Sequence, residues 1–405
     1  LPGEGQKNTT LSIEGDIMFN LHVPTRVLFG CGQLNELHAQ PMPGKKAMIV
    51  VSNGKSVKVN GYLARTEEQL HQAGIETVLY DKIEANPLRQ TVTAGGQMAA
   101  ASGADFLVAL GGGSVIDASK GIAVVAANGG DVWDYITNGT GKGMPIEKTP
   151  LPIIAITTTA GTGSETDMGG VITNQETKEK TPIKGPQLFP QLAIIDPELM
   201  ASVPPRFTAY QGFDALFHNI EGYIANKSSL MSEMIALTAI EAISQYLPIA
   251  VKDGKNLTAR EKVAFGSYLG GLEMVVCSTV SEHSMEHSLS AFHQELPHGA
   301  GLIMLSESYF TYFIEHHVCD GRFVRLAQAL GMTEATEPKD FITALLQLQK
   351  DCGVADLKMS DYGITPDEFP QMARIAKSAM AFLFKSDRID LSEDDVVEIY
   401  QKAYK

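Results

Sequence analysis

Several of the ten histidines in this chain lie close together along the sequence and share helical spacing with an aspartate. Asp214 and His218 are four residues apart in a helical stretch, and His283 and His287 repeat that spacing. Residues four apart on a helix lie on one face, so each pair can direct its side chains to one point. His298 follows in a Pro-His-Gly sequence. A carboxylate with several imidazoles and no thiolate motif is a donor set for a catalytic divalent ion, Fe²⁺ or alternatively Zn²⁺.

The roles of the individual histidines stay open at this level. A lone Asp/His pair on a helix is more often a surface hydrogen bond or ion pair, so the metal prediction depends on the whole set. Spacing alone does not decide whether His283 or His287 binds the ion. We interpret His293 as a surface residue and the adjacent pair His316 and His317 as structural.

A glycine run after a predicted strand is the second feature with chemical meaning. The apolar stretch 106–110 leads into the sequence Gly-Gly-Gly-Ser at 111–114, and a helical stretch over 115–127 follows. A strand that feeds such a run into a helix is a recurrent phosphate cradle, because bare backbone N–H groups and the helix dipole favour an anion. The G-x-G-x-x-G fingerprint is absent, so the usual Rossmann form is not expected. A tight turn without a ligand is the alternative.

A second polar loop follows the predicted strand 153–156. It contains several threonines and two glycines over 157–165, at the carboxyl end of a strand, where open α/β sheets bind their ligands. Alone it would more often be an ordinary polar loop. The two loops together predict a nucleotide site.

The residues that follow the strand 47–51 bear on the choice of nucleotide. An acid at this place would bond the adenosine ribose hydroxyls, as in NAD binding. The chain instead has Ser52 and Asn53, followed by a glycine, a lysine and a serine. Hydroxyl, amide and ammonium groups can receive a 2′-phosphate, so the sequence favours NADP over NAD. The alternative is a solvated turn.

The elements that must position these groups divide the chain in two. Apolar stretches at 47–51, 76–80, 106–110, 153–157 and 192–195 alternate with helical stretches, which predicts a parallel sheet of the doubly wound α/β class. After Pro204 and Pro205 the pattern is helical to the end. We expect a dinucleotide-binding α/β domain over 18–203 and an all-α domain over 204–405. Residues 1–17 are expected to be a disordered leader or an added remnant, with Met18 as the natural start.

Composition excludes several classes of partner. The chain has 405 residues, 44% of them hydrophobic and 20% charged, as in a globular protein of two or three domains. With 32 basic and 47 acidic residues its net charge is −15, so we expect no nucleic-acid or membrane partner. No uninterrupted apolar run reaches the roughly 18 residues of a membrane span. Four scattered cysteines without a C-x-x-C pair fit a reducing cytoplasm.

Seven sequence stretches resemble the iron-containing (group III) alcohol dehydrogenases. They run in the family's order across nearly the whole chain from about residue 19, and the Asp-x-x-x-His and His-rich stretches are the specific ones. The stretches are FGCG (29–32), NP (86–87), GGGSVIDASK (111–120), TTAGTGSE (158–165), IIDPEL (194–199), GFDALFHNIEGY (212–223) and HSMEHSLSAFHQELPHG (283–299).

The resemblance implies a dehydroquinate synthase-like architecture, with a Rossmann-like dinucleotide-binding domain, a helical domain and an active site in the cleft between them. It assigns three groups of residues, as follows: metal ligands Asp214, His218, His283 and His298; a proton-relay residue His287 beside the metal; cofactor contacts Gly112, Gly113, Ser114, Asp117, Thr158, Thr159, Thr162 and Lys180. Two departures matter. Ser52 replaces the acid of NAD-preferring relatives, and one extra residue lies between His287 and His298 relative to some members.

The predicted activity is hydride transfer between NAD(P)(H) and a small alcohol or aldehyde, by a homodimer or larger oligomer. Three alternatives remain. One is a related polyol or hydroxyacid oxidoreductase. Another is a dehydroquinate synthase-type lyase, which would need a basic pocket where the sequence offers only Lys180 and Lys184. The third is a non-catalytic metal- or nucleotide-binding protein.

Overall fold

In the computed structural model, which describes residues 18–405, the first half of the chain builds a six-stranded parallel sheet. The strands run in the order β1-β8-β5-β4-β2-β3, and β6 and β7 form a separate antiparallel hairpin. The expectation for residues 1–17 lies outside the described residues. The strand bounds are β1 Arg26–Phe29, β2 Lys46–Ser52, β3 Glu76–Ile83, β4 Phe106–Gly111, β5 Ile153–Thr157, β6 Gly169–Asn174, β7 Glu179–Lys184 and β8 Leu192–Ile195.

The helices cover both faces of the sheet and then form the second half of the chain. Their bounds are α1 Ser56–Val59, α2 Tyr62–Gln72, α3 Arg89–Ser102, α4 Gly113–Asn128, α5 Pro205–Ile224, α6 Leu230–Lys252, α7 Leu257–Val276, α8 Ser281–Phe292, α9 His298–Glu315, α10 Asp320–Ala329, α11 Asp340–Asp351, α12 Phe369–Ala379, α13 Ala381–Phe384 and α14 Glu393–Ala403. The predicted fold class, a parallel α/β sheet followed by a mostly helical region, is confirmed.

The central strands are apolar throughout because each of their faces packs into a hydrophobic cluster. In β4, Leu107 and Ala109 belong to the cluster under α3 and α4. The alternating residues Phe106, Val108 and Leu110 belong to the cluster on the opposite face. Successive side chains of a strand point to opposite faces, so a strand covered on both sides needs apolar residues at every position.

Parallel pairing places the three chemically marked loops side by side. β4 pairs with β2 on one side and with β5 on the other. The carboxyl ends of parallel strands lie at one edge of a sheet, so the loop after β4 lies between the loops after β2 and β5.

The structure adds elements that the sequence pattern did not predict. β1 and the β6–β7 hairpin were not expected, and the helical pattern of the second half is interrupted at Met380, between α12 and α13. The hairpin strand β7 contains Pro182, and proline in a run argues against a strand. The hairpin packs on α4 through β6 and on α8 through β7, so it spans both halves of the chain. The boundary at 203/204 stays a prediction.

Helix α6 is long and apolar enough, by length and composition alone, to cross a membrane. It packs against α5 and α7, and Ala236, Ile240 and Leu247 lie in the largest hydrophobic cluster. α7 and α8 pass the same test only as one span bent by 108°. Packed core helices meet this test as well, so it carries no argument for a membrane.

Candidate active site

Three helices of the second half position the predicted metal ligands. Asp214 and His218 lie on successive turns of α5, and His283 lies in α8. His298 is the first residue of α9, directly after Pro297. α9 packs against both α5 and α8, which brings the four side chains to one place.

Three imidazoles converge on a single carboxylate oxygen of Asp214. Asp214 Oδ1 lies 3.6 Å from His218 Nε2, 3.6 Å from His283 Nε2 and 3.4 Å from His298 Nε2. Asp214 Oδ1 and His283 Nε2 are buried and have no hydrogen-bond partner. Ligand atoms about 2.1 Å from a tetrahedral ion lie about 3.4 Å from one another. The unpaired atoms and the separations therefore fit one divalent cation at Asp214, His283 and His298, whose ligand atoms all lie within 4.8 Å of one another, with His218 beside the same oxygen.

His287 lies beside this cluster rather than on the Asp214 oxygen. Its ring centroid is 5.1 Å from that of His298 and 6.4 Å from that of His283, and its Nδ1 is 2.9 Å from Met380 Sδ. Burial lowers the pKa of His287 well below its usual value, and the neighbouring Lys180 ammonium acts in the same direction. The imidazole is therefore neutral, and it faces the cavity that His218, His283 and His298 also line.

A second set of possible ligands, near His287, is a poorer cation site. Glu286, His287 and His298 offer atoms within 4.8 Å of one another. However, Glu286 is hydrogen-bonded to His298 Nδ1, and Lys180 Nζ lies 3.6 Å from the same carboxylate oxygen. The Lys180 ammonium would repel a cation bound there.

Two buried glutamates hold the imidazoles of the cluster, and sequence reasoning missed both. Glu221 is hydrogen-bonded to His283 Nδ1, and Glu286 to His298 Nδ1. Such carboxylates fix the tautomer that leaves Nε2 free for a metal. The available signal was spacing, since Glu221 falls seven residues after Asp214 on the same face of α5.

The carboxylates give the centre of the cluster a negative electrostatic potential. Burial disfavours the His283 cation, but Glu221 and Asp214 outweigh it and raise the pKa of His283 to about 9. Burial likewise opposes ionisation of Asp214, but His218 and His298 hold the pKa of that carboxyl well below its usual range. The carboxylates thus favour positive charge at His283, whereas burial lowers the pKa of His218 to about 3 and keeps that imidazole neutral, as a metal ligand must be.

Replacing Glu221 by glutamine is expected to weaken metal binding by about 10- to 100-fold, because a neutral amide replaces the charged carboxylate that orients His283 and raises its basicity. Metal retention against a competing chelator measures the effect. The matched control is Glu241→Gln, at an exposed position of α6. Equal metal affinity in the Glu221 variant and the wild type would contradict the assigned role.

The glycine loop and the threonine loop are in direct contact at the end of the sheet. A Cβ at Gly112 would lie 2.8 Å from Thr159 Cγ2, and one at Gly113 would lie 2.3 Å from Thr162 Cγ2. The glycines are therefore needed to let the two loops meet, whatever they bind. α4 begins at Gly113, so N–H groups of its first turn remain available to an anion.

A buried lysine holds the second loop against α4. Lys120 Nζ is fully buried and donates to Ser164 O (2.8 Å), Asp167 Oδ1 (2.7 Å) and Gly169 O (2.5 Å). Asp117 accepts from Ser164 Oγ at 2.5 Å and from the Val171 N–H at 3.0 Å. Burial raises the pKa of Asp117 to about 6. Sequence reasoning assigned no role to Lys120, although it ends one of the quoted motifs.

One cavity joins the histidine cluster to part of the predicted cofactor set. It is lined by the cofactor residues Ser114, Asp117, Thr162 and Lys180 and by His218, His283, His287 and His298. Lys180 on β7 donates to Ser290 Oγ at 3.0 Å. The remaining predicted cofactor residues lie outside the lining: Ser52 and Asn53 at the end of β2, and Gly112, Gly113, Thr158 and Thr159 in the two loops.

Asn86 ties the two halves together at the cavity. It has a left-handed backbone conformation (φ 53°), and its Nδ2 donates to Gln294 O at 3.2 Å and Leu296 O at 3.4 Å. Gln294 Nε2 donates in return to Ala85 O (2.9 Å) and Asn86 O (2.8 Å). This contact fixes the segment that leads into His298.

Comparison with known proteins places this geometry in a family. The family model for iron-containing alcohol dehydrogenase matches residues 24–197, and the C-terminal model of the Fe-containing alcohol dehydrogenase family matches residues 208–404. The 1,3-propanediol dehydrogenase of Klebsiella pneumoniae is 32% identical over 396 residues, 96% of this chain and 99% of that protein. The chain belongs to the iron-containing alcohol dehydrogenases. It is therefore an oxidoreductase of that family, as the resemblance implied.

Two further relatives bear on fold and cofactor. The crystal structure of a halo-thermophilic archaeal alcohol dehydrogenase from a Red Sea brine pool has a TM-score of 0.91 at 33% identity, covering 96% of this chain and 99% of that one. The NAD-dependent methanol dehydrogenase of Bacillus methanolicus is 31% identical over 373 residues, 89% of this chain and 93% of that protein. A preference of this iron-containing alcohol dehydrogenase for NADP thus gains no support from that relative.

Proposed function

We propose that this enzyme interconverts small alcohols and aldehydes with a nicotinamide cofactor, at a cation held by Asp214, His218, His283 and His298. The observation that carries the proposal is the convergence of three imidazoles on Asp214 Oδ1 in the cavity that Ser114 and Thr162 also line. A divalent ion bound there acts as a Lewis acid on the substrate oxygen.

Residues of the chain account for cofactor binding and proton transfer. The loops after β4 and β5 would hold the cofactor, and the N–H groups at the N-terminus of α4 would bind its phosphates. In the reductive direction a bound nicotinamide cofactor would supply a hydride to the carbonyl carbon, and the carbonyl oxygen would gain a proton. His287 lines the cavity beside His298 and relays that proton. Lys180 lies on β7, donates a hydrogen bond to Ser290, and lines the same cavity as Ser114 and Thr162.

We infer that NADPH is preferred to NADH. Ser52 ends β2 and Asn53 follows it, with exposed residues including Lys55 after them. Asp81, at the neighbouring β3, is paired with Lys58 at 2.6 Å. The 52–56 loop contains no carboxylate that would repel the 2′-phosphate of NADPH, and this supports the preference for NADPH.

A spectrophotometric assay tests the proposal. Purified enzyme with Fe²⁺ is expected to oxidise NADPH with short aldehydes, to lose that activity on chelation, and to regain it on addition of Fe²⁺ or Zn²⁺. Absence of turnover with both NADPH and NADH in the metal-loaded enzyme would refute the proposed function.

In the same assay, Lys55→Glu is expected to raise the KM for NADPH about tenfold with little change for NADH.

The matched control for the cofactor variant is Lys45→Glu, at an exposed position before the amino end of β2. It should leave both KM values unchanged. Equal increases for the two cofactors in Lys55→Glu, or a wild-type preference for NADH, would contradict the NADPH assignment alone.

We also propose domains over 18–203 and 204–405, a homodimer or larger oligomer, and a reducing cytoplasmic setting. The last is supported by the cysteines, since Cys31, Cys277, Cys319 and Cys352 are all free.

A further inference from the structure

The two halves of the chain give the cavity different walls. The α/β half contributes mainly polar groups near the cofactor loops, among them Ser114, Asp117 and Ser164. Apart from the histidines, the helical half contributes seven residues, five of them apolar: Met274, Val275, Ser278, Thr279, Met380, Phe382 and Leu383. The five apolar residues are called the apolar wall below.

The apolar wall comes from two elements that are separate in sequence. Met274 and Val275 lie in the last turn of α7, while Phe382 and Leu383 lie in the short helix α13. Met380 lies at the break before α13, with its sulfur beside the His287 ring. The wall therefore begins next to the histidine cluster and extends away from it.

Part of the apolar wall does not pack against the protein core. Met274 and Val275 are only half-buried, and among the described residues neither packs into one of the hydrophobic clusters. Apolar surface left facing a cavity gains free energy when a ligand removes it from water. Methionine side chains also adapt to ligands of different shape.

The charges in the cavity argue against an anionic tail. Lys180 is nearly buried, and its ammonium is already matched by Glu286 at 3.6 Å. Lys184 is exposed at the end of β7. Lys184 also lines the cavity, but as an exposed residue it lies toward solvent, so the buried lysine among the described lining residues is the one that already has a carboxylate partner.

Resting on the proposed function, we infer that the substrate is an alcohol or aldehyde with an aliphatic tail of several carbons, and that the apolar wall binds this tail. Each methylene buried against the wall is expected to raise kcat/KM by up to about fourfold. The cavity is also lined by the hydroxyls of Ser278 and Thr279, between α7 and α8. If they bind the substrate tail, the preferred substrate has a hydroxylated tail, and this is the competing outcome of the test.

The test is a series of propanal, butanal, pentanal and hexanal with the metal-loaded wild-type enzyme and NADPH. We expect kcat/KM to increase at least about tenfold across the series, and butanal to exceed 3-hydroxypropanal and succinate semialdehyde. A flat or falling series, or a higher value for either polar aldehyde, would overturn the inference and leave the proposed function intact. Failure of every aldehyde with either cofactor would instead refute the proposed function.

A variant of the wall separates tail binding from other causes of chain-length preference. Met274→Ser is expected to reduce the ratio of kcat/KM for hexanal to that for propanal by at least about threefold. Met234→Ser is the matched control, because Met234 is 59% exposed on α6 and lies outside the cavity. An unchanged ratio in a folded Met274 variant would show that the wall does not bind the tail. Phe382→Ser provides a second variant from the other element if the first does not fold.

Discussion

A His298→Ala variant is expected to lose its metal and to fall by at least about 1000-fold in kcat/KM, while the fold is retained. The reason is that His298 supplies one of three imidazoles on the Asp214 oxygen, and that the Lewis acid contributes several kcal/mol to the barrier reduction. Metal analysis of the purified variant and NADPH-coupled kinetics measure the two effects, and circular dichroism checks the fold.

The control for this variant is His293→Ala, on the same segment of the chain. His293 bonds Glu368 at 3.0 Å and lies outside the cluster, so its removal should leave metal content and rate near wild-type values. A His298→Ala enzyme with full metal content and full rate would show that the ligand assignment is wrong.

A His287→Ala variant should behave differently, because it removes a group beside the ligands. We expect kcat to fall by about 100- to 10,000-fold, the usual contribution of a proton-transfer group, while metal content stays at the wild-type level. The expectation follows from the position of His287, which lines the cavity but is not among the imidazoles on Asp214 Oδ1.

The comparison of the two variants decides between relay and ligand. Metal loss in His287→Ala would make His287 a ligand. A full rate with full metal would leave it with no part in the reaction.

The strands were predictable where burial on both faces makes the sequence continuously apolar. The predictions at 153–157 and 192–195 coincide with β5 and β8 residue for residue. β1 and the β6–β7 hairpin escaped prediction because they are short and include polar residues or proline. Pairing between strands, which completes such segments, is a long-range interaction that local pattern does not encode.

Helical spacing was sufficient to group the candidate ligands in pairs, but not to bring the pairs together. Asp214 and His218 share a face of α5, and that much follows from their spacing. That α5, α8 and the start of α9 meet at one oxygen depends on packing between helices distant in sequence. Glu221 and Glu286 were missed for the same reason, since spacing places Glu221 on the Asp214 face of α5 but does not show which imidazole either acid contacts.

The cavity walls could not be predicted for a related physical reason. Met274 and Phe382 are ordinary apolar residues of a helical pattern, which alone indicates core. Only the three-dimensional arrangement shows that Met274 faces the cavity rather than the core.

The meshing of Gly112 with Thr159 and of Gly113 with Thr162 has a consequence for how such enzymes can diverge. The glycine loop cannot gain bulk alone, because a methyl group added at either glycine would collide with a threonine side chain of the other loop. An altered nucleotide grip at this edge of the sheet therefore requires compensating replacements in both loops at once. The side chains at 53–56, after β2, are exposed, so a replacement in that loop meets no such collision.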